Sequence, residues 1–196
     1  MKLTVAFGAR SLSAALGVTR MPQPSLVTDR LVLRPATVSD VSVLRSLWDQ
    51  PKVRRFLFDD QPVSEQLAAS VLEDCLACSS GGHGLWLIHL SEKSVFTGCA
   101  GLIPTTVAAQ YEPRLKGLLE PLAALQPTYW RRGYATEALA ALINYAFTHL
   151  QVSELAAVND IPNVASNRML ERLGFTVLSE VSGPKYEMQT YRLARK

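Results

Sequence analysis

At 196 residues, with 48% hydrophobic and 19% charged residues, the chain is long enough for one domain with its own core and has the composition of an ordinary globular protein. Its net charge of +3 comes from scattered basic residues, which argues against a nucleic-acid footprint, and no apolar run approaches the roughly 20 residues of a membrane span. Three cysteines, an odd number, argue against a disulfide framework and for a reducing, cytoplasmic setting.

Residues 1–26 read as an N-terminal extension, expected to be flexible, and 27–196 as the folded domain. Lys2, Arg10 and Arg20 flank a Ser/Ala-rich stretch without acidic residues. Gly8, Arg10 and Ser11 interrupt its apolar core, so it does not read as a secretory signal. Leu31–Arg34 alternates and stops at Pro35, which predicts a first strand. Ser39 or Asp40 can cap a helix over about Val41–Trp48, broken by Asp49-Gln50-Pro51. Val53–Phe58 predicts one helical turn. Ser64 opens a helix with Leu67, Val71, Leu72 and Cys75 inward, ended by Gly81–Gly84. Leu85–Leu90 and Phe96–Leu102 predict two strands joined by a turn at Ser91–Ser94. Thr105–Gly117 has no period and reads as a loop.

Next comes a strand–turn–helix unit. An apolar run, Leu118–Leu125, is closed by Pro127, and Trp130-Arg131-Arg132-Gly133-Tyr134 follows. From there Ala135, Leu139, Leu142, Ile143, Ala146 and Leu150 recur at helical spacing. A helix N-terminus presents unpaired N–H groups and the positive end of its dipole. Gly133 would let a phosphate approach the backbone, and Arg131 and Arg132 add positive charge. Leu155–Val158 predicts another strand. Val164–Leu173 predicts a helix that Gly174 closes in a left-handed conformation. Phe175–Leu178 and Glu187–Leu193 complete the set. This order predicts a single mixed α/β (α+β) domain, without repeats or linkers.

Three segments together carry a resemblance to a known family. They are Thr28-Asp29-Arg30-Leu31-Val32-Leu33-Arg34-Pro35; Glu120 through Leu125-Gln126-Pro127 with Tyr129–Ala138; and Asn163-Val164-Ala165-Ser166-Asn167-Arg168 with Leu173-Gly174-Phe175. Over about residues 27–193 the chain resembles the GNAT acetyltransferases, in the branch of the ribosomal-protein N-terminal acetyltransferases. The resemblance implies a mostly antiparallel central sheet flanked by helices and splayed at the acetyl-CoA site. It implies acetyl-CoA as co-substrate and an amine acceptor, a protein N-terminus or a small molecule. Membrane and nucleic acid are not among the expected partners, and a homodimer is left open.

Carried onto this sequence, Arg131, Arg132, Gly133, Tyr134, Ala135 and Thr136 hold the pyrophosphate. Ala123, Ala124 and Leu125 offer N–H groups to the acetyl carbonyl and pantetheine arm, and Asn163 also touches coenzyme A. Ser166 is the candidate acid toward the CoA sulfur, and Glu120 the candidate base toward the amine, with Glu65 and Asp60 behind it. Each residue also has a plain structural role to set against this. The alanines could be ordinary core, Ser166 and Asn163 helix-terminus residues, and Glu120 a solvated strand-end carboxylate. Trp130 departs from the family pattern, where Gln or Arg is common. Leu170 stands where many members carry a tyrosine acid. That departure keeps open a second reading, a CoA-binding or sensor module without efficient catalysis. Cys75, Cys78, His83 and His89 have ligand-like spacing, but buried cysteine is the simpler reading, and no metal is assigned.

Overall fold

The structure, a computed structural model, describes residues 22–106 and 108–195; what is expected of residues 1–21 lies outside them. Strands β1 (Leu26–Val27), β2 (Leu31–Pro35), β3 (Gly84–Leu90), β4 (Phe96–Pro104), β5 (Leu119–Leu125), β6 (Glu154–Asp160), β7 (Thr176–Ser182) and β8 (Glu187–Ala194) form one sheet in the order β1-β2-β3-β4-β5-β6-β8-β7. Every pairing is antiparallel except β5 with β6, which is parallel. Helices α1 (Val41–Trp48), α2 (Pro51–Leu57), α3 (Glu65–Ala77), α4 (Ala108–Tyr111), α5 (Tyr134–Thr148) and α6 (Val164–Arg172) flank the sheet.

Side-chain alternation assigns the two faces. Leu85, Leu87, Cys99, Leu122 and Ala124 pack with α1–α3 in one core cluster. Leu31, Leu33, Trp86, Ile88, Ala100, Leu102, Leu155 and Ala157 pack with α5 and α6 in the other. Strand β3 is apolar from Leu85 to Ile88 because both its faces are covered there. No described helix is long and apolar enough to cross a membrane.

Local chemistry explains where elements begin and end. Ser64 caps α3, its Oγ accepting the Leu67 N–H at 3.1 Å. After α6, Gly174 takes φ +90°. The Gly174 N–H then reaches Glu171 C=O and the Phe175 N–H reaches Leu170 C=O, each at 3.0 Å, which closes a Schellman motif.

Two expectations change. The single turn over Val53–Phe58 is a seven-residue helix, α2, because Pro51 sits at its first position, where a missing N–H costs nothing. The loop Thr105–Gly117 contains α4 and a 3-10 turn at Pro113–Leu115, whose Ala108 and Leu115 are buried with Ala156, Val158 and Met188. Short elements of this kind depend on tertiary packing rather than periodicity. The residues just before β1 also make contacts with the sheet. Gln23 Nε2 donates to Leu85 C=O at 2.9 Å, and the indole of buried Trp86 donates to Pro24 C=O at 2.7 Å. Gln23 and Pro24 are thus held against β3.

Gly98 sets how closely β4 approaches β5. A Cβ there would lie 2.2 Å from the Ala124 carbonyl oxygen and 2.8 Å from Leu125 Cα, both backbone atoms. Gly98→Ala should therefore destabilise the fold by roughly 1–3 kcal/mol or more, read as a lower urea midpoint. An unchanged midpoint would mean that the two strands can separate freely.

Candidate active site

Strands β5 and β6 make a single paired step, Leu119 with Leu155, and then diverge. The β4 register shows what this opens. The Gln126 N–H donates to Thr97 C=O at 2.8 Å, so residues of even number in β5 turn their N–H groups toward β4. The N–H groups of Ala123 and Leu125 then face the gap, and that of Ala124 does not. Ala124 contributes a small side chain to the α1–α3 core. Pro121 also falls on the gap side, where its missing N–H costs no ladder bond. The Leu125 carbonyl is taken by the Trp130 indole N–H at 2.7 Å. Trp130, a departure from the family pattern, thus ties the loop before α5 to the end of β5.

Glu120 stands at the start of the divergence, next to the paired step. Its side chain is only 4% exposed, so it is not the solvated strand-end carboxylate that the sequence allowed. Oε1 accepts the N–H of Val158 on β6 at 3.1 Å. The carboxylate therefore replaces the strand partner that Val158 loses where the ladder opens. Burial pushes its pKa up to about 7, against the opposing pull of that N–H.

The loop leading into α5 is held in an unusual backbone conformation. Arg131 has φ +61° and Gly133 φ +82°. The first bond of α5 runs from the Glu137 N–H to Gly133 C=O at 3.0 Å. The N–H groups of Tyr134, Ala135 and Thr136 thus lie in the turn before any helical partner. Arg131 and Arg132 are exposed at the same end, and the Arg132 guanidinium lies 5.7 Å from the Tyr129 ring centroid.

A lock that sequence reasoning missed fixes this loop. Glu137 Oε1 accepts from Thr28 Oγ1 at 2.6 Å and from the Arg30 N–H at 3.0 Å, and Oε2 accepts from Arg30 Nε at 2.6 Å. Arg30 Nη1 donates to Arg132 C=O at 3.1 Å, and the guanidinium lies over the Tyr134 ring at 4.7 Å. Burial would raise the Glu137 pKa, but these donors outweigh it and hold the carboxyl below its ordinary value. The signal in the sequence was faint: an acidic residue in the first turn of a helix serves the dipole in any case.

On the α5/α6 side, Asn163 occupies the N-cap of α6, and its side chain makes no capping bond. Its carbonyl accepts from the Ser166 and Asn167 N–H groups at 3.0 and 3.1 Å. Ser166 is half-buried in the first turn, and Asn159 Nδ2 donates to its Oγ at 2.9 Å. Leu170 is fully buried in the α5/α6 core. Of the alternative bases, one is ion-paired and the other exposed. Asp60 lies 3.5 Å from both Arg54 Nε and Lys185 Nζ, and Glu65 is exposed in the first turn of α3. Among the described residues no group of three or more His, Cys, Asp or Glu could hold a metal ion. Cys99 is buried under the Trp48 indole, and burial pushes its thiol up to about 12.

Comparison with known proteins bears on this arrangement. The family model of the acetyltransferase (GNAT) domain matches residues 30–176. The chain belongs to the GNAT acetyltransferases. It is thus an acyltransferase by family. The uncharacterized N-acetyltransferase YoaA of Bacillus subtilis is 28% identical over 179 residues, covering 88% of this chain and 97% of that one. An acetyltransferase from Agrobacterium tumefaciens str. C58 superposes with a TM-score of 0.73 at 25% identity, over 91% of this chain and 98% of the other. The ribosomal-protein alpha-N-acetyltransferase RimL, solved in complex with coenzyme A, shares the fold with a TM-score of 0.69 at 18% identity, over 87% and 98%.

The Glu120 site carries a signature in stability. An unfolded glutamate ionises near pH 4.5, whereas the folded one stays protonated to about pH 7. The folded state is thus favoured at low pH, and this contribution is lost as pH rises from about 4.5 through 7. It amounts to on the order of 3 kcal/mol. Glu120→Gln can still accept from Val158 but cannot ionise. Urea denaturation should show the variant gaining on the wild type between pH 5 and pH 8. A stability difference that is constant with pH would place the carboxylate in water.

Proposed function

We propose that this protein transfers the acetyl group of acetyl-CoA directly to a primary amine, on a protein N-terminus or a small molecule. The observation that carries the reading is the divergence of β5 from β6. It leaves the N–H groups of Ala123 and Leu125 facing a gap that is continuous in sequence with the glycine loop of α5. A thioester oxygen that gains negative charge on attack is stabilised by such preorganised donors. The exposed N–H groups of Tyr134, Ala135 and Thr136, with Arg131 and Arg132 beside them, suit a pyrophosphate. Gly133 keeps the backbone bare, and Asn163 has an amide free of the cap to meet the cofactor.

The two candidate proton carriers sit on opposite faces of the sheet. Glu120 shares the parity of Leu122 and Ala124, on the α1–α3 side. Ser166 lies on α6, on the other side. In this reading Glu120 takes a proton from the acceptor ammonium, directly or through a water. The neutral nitrogen then attacks the thioester carbonyl and forms the C–N bond. Ala123 and Leu125 hold the oxyanion as the C–S bond breaks. Ser166 gives its proton to the leaving thiolate and regains one, through water, from the newly acylated nitrogen, while Glu120 releases its proton to solvent. A base that titrates near neutrality is matched to this task. The α2 segment and the β7–β8 hairpin meet through the Phe56 and Tyr186 rings, 6.1 Å apart, and these elements would border the acceptor. The three free cysteines support a reducing, cytoplasmic setting.

Labelled acetyl-CoA offered with a panel of peptides and amines tests the proposal. With a turned-over acceptor, kcat/KM should rise with pH through about 7 and then level. Glu120→Gln should lose most of that rate at neutral pH and recover part of it at high pH, where more acceptor is already deprotonated. Tight coenzyme A binding without turnover of any amine would favour a sensor. Wild-type rates in Glu120→Gln across the pH range would remove Glu120 as the base.

A further inference from the structure

Asn159 has no part in the reading above, yet it is fully buried and bonded to a residue that does. It lies on β6, paired with Gln189 of β8, so its backbone is held inside a continuous ladder. Its parity is that of Leu155 and Ala157, which places its side chain on the α5/α6 face. From there Nδ2 donates to Ser166 Oγ at 2.9 Å. The connection between β6 and α6 is held as well. Asn167 Nδ2 donates to the carbonyls of Asp160 and Ile161 at 3.3 and 3.1 Å, and the Asn163 N–H donates to Asp160 C=O at 2.9 Å. The separation of Asn159 from Ser166 is therefore set by a braced turn.

The direction of the bond matters. An amide nitrogen can only donate, and a hydroxyl has one proton and two lone pairs. With Nδ2 occupying a lone pair, the single Ser166 proton is left for another acceptor. The nearby helix carbonyl, that of Asn163, already accepts two N–H groups. We propose that Asn159 is a positioning residue for the transfer reaction: by donating to Ser166 Oγ it turns the hydroxyl proton toward the gap and so toward the leaving thiolate. This inference rests on Ser166 as the proton donor in the proposed function. It adds the group that sets the donor's orientation. The same bond polarises the hydroxyl, because an oxygen that accepts becomes a better donor.

The test uses two shape-conserving variants with Ser166→Ala as reference. Asn159→Asp turns the donor into an acceptor that captures the Ser166 proton. Asn159→Leu removes the donor without offering an acceptor. Steady-state kinetics should give kcat falling roughly tenfold or more in Ser166→Ala and to a similar level in Asn159→Asp, with a smaller fall in Asn159→Leu. KM for acetyl-CoA should stay within about threefold. The double variant Asn159→Asp/Ser166→Ala should be no slower than Ser166→Ala alone, since both act through one hydroxyl. Multiplying losses in the double variant, or losses in both Asn159 variants that follow thermal stability, would overturn the assignment, as would wild-type kcat in Asn159→Asp. Should that variant fail to fold, Asn159→Leu at wild-type kcat overturns it equally. Wild-type kcat in Ser166→Ala would instead overturn the role of Ser166, and this inference with it.

Discussion

The single paired step between β5 and β6 is the constraint on which the rest of the molecule turns. A sheet that opens between two central strands leaves backbone groups without partners, and each buried orphan costs free energy comparable to a lost hydrogen bond. The chain meets that cost in three places. Glu120 accepts the Val158 N–H, the Trp130 indole takes the Leu125 carbonyl, and Pro121 has no N–H to strand. Among the described residues, what faces the gap is a pair of N–H groups, on Ala123 and Leu125. The opening is thus a maintained feature rather than a frayed edge. Its maintenance is also what buries Glu120 and moves its titration toward neutrality.

The second demand is to hold a loop with two left-handed residues at the mouth of that opening. Strained backbone persists only where its surroundings over-determine it. Here Thr28 and Arg30, just before β2, grip Glu137 in the first turn of α5, and Arg30 also binds the Arg132 carbonyl. Glu137 would otherwise place a bare negative charge where an anion is expected. Pairing with Arg30 neutralises it, so the loop keeps the positive character of its helix terminus. The residues before β2 thereby brace the loop before α5, although they lie far from it in sequence.

The elements legible in the sequence were those with strong local punctuation. Ser64 announces α3, Gly174 ends α6, and the glycine turn before Tyr134 marks the start of α5. The family resemblance supplied the arrangement around them. Other features had no local cause to read. Strand β1 is two residues long and is held by contacts such as that of Trp86 with Pro24. Helix α4 has a single turn and depends on burial beneath the C-terminal half of the sheet. That Ala124 faces β4 while Ala123 and Leu125 face the gap follows from pairing register, which one sequence does not reveal. Glu120 looked like a strand-end acid because its burial is created by the β5–β6 geometry. The grips on Glu137 and Ser166 join residues whose partnership needs the fold.

The central claim is that the divergence of β5 and β6, together with the α5 loop, is where acetyl-CoA binds. Amide hydrogen exchange with and without acetyl-CoA tests it most directly. The account predicts slower exchange at Ala123, Leu125 and Tyr134–Thr136, whose N–H groups lie outside the strand and helix ladders, while the interior of β3 is unchanged. Acetyl-CoA binding with no protection in either segment, or with protection confined to another part of the fold, would contradict it.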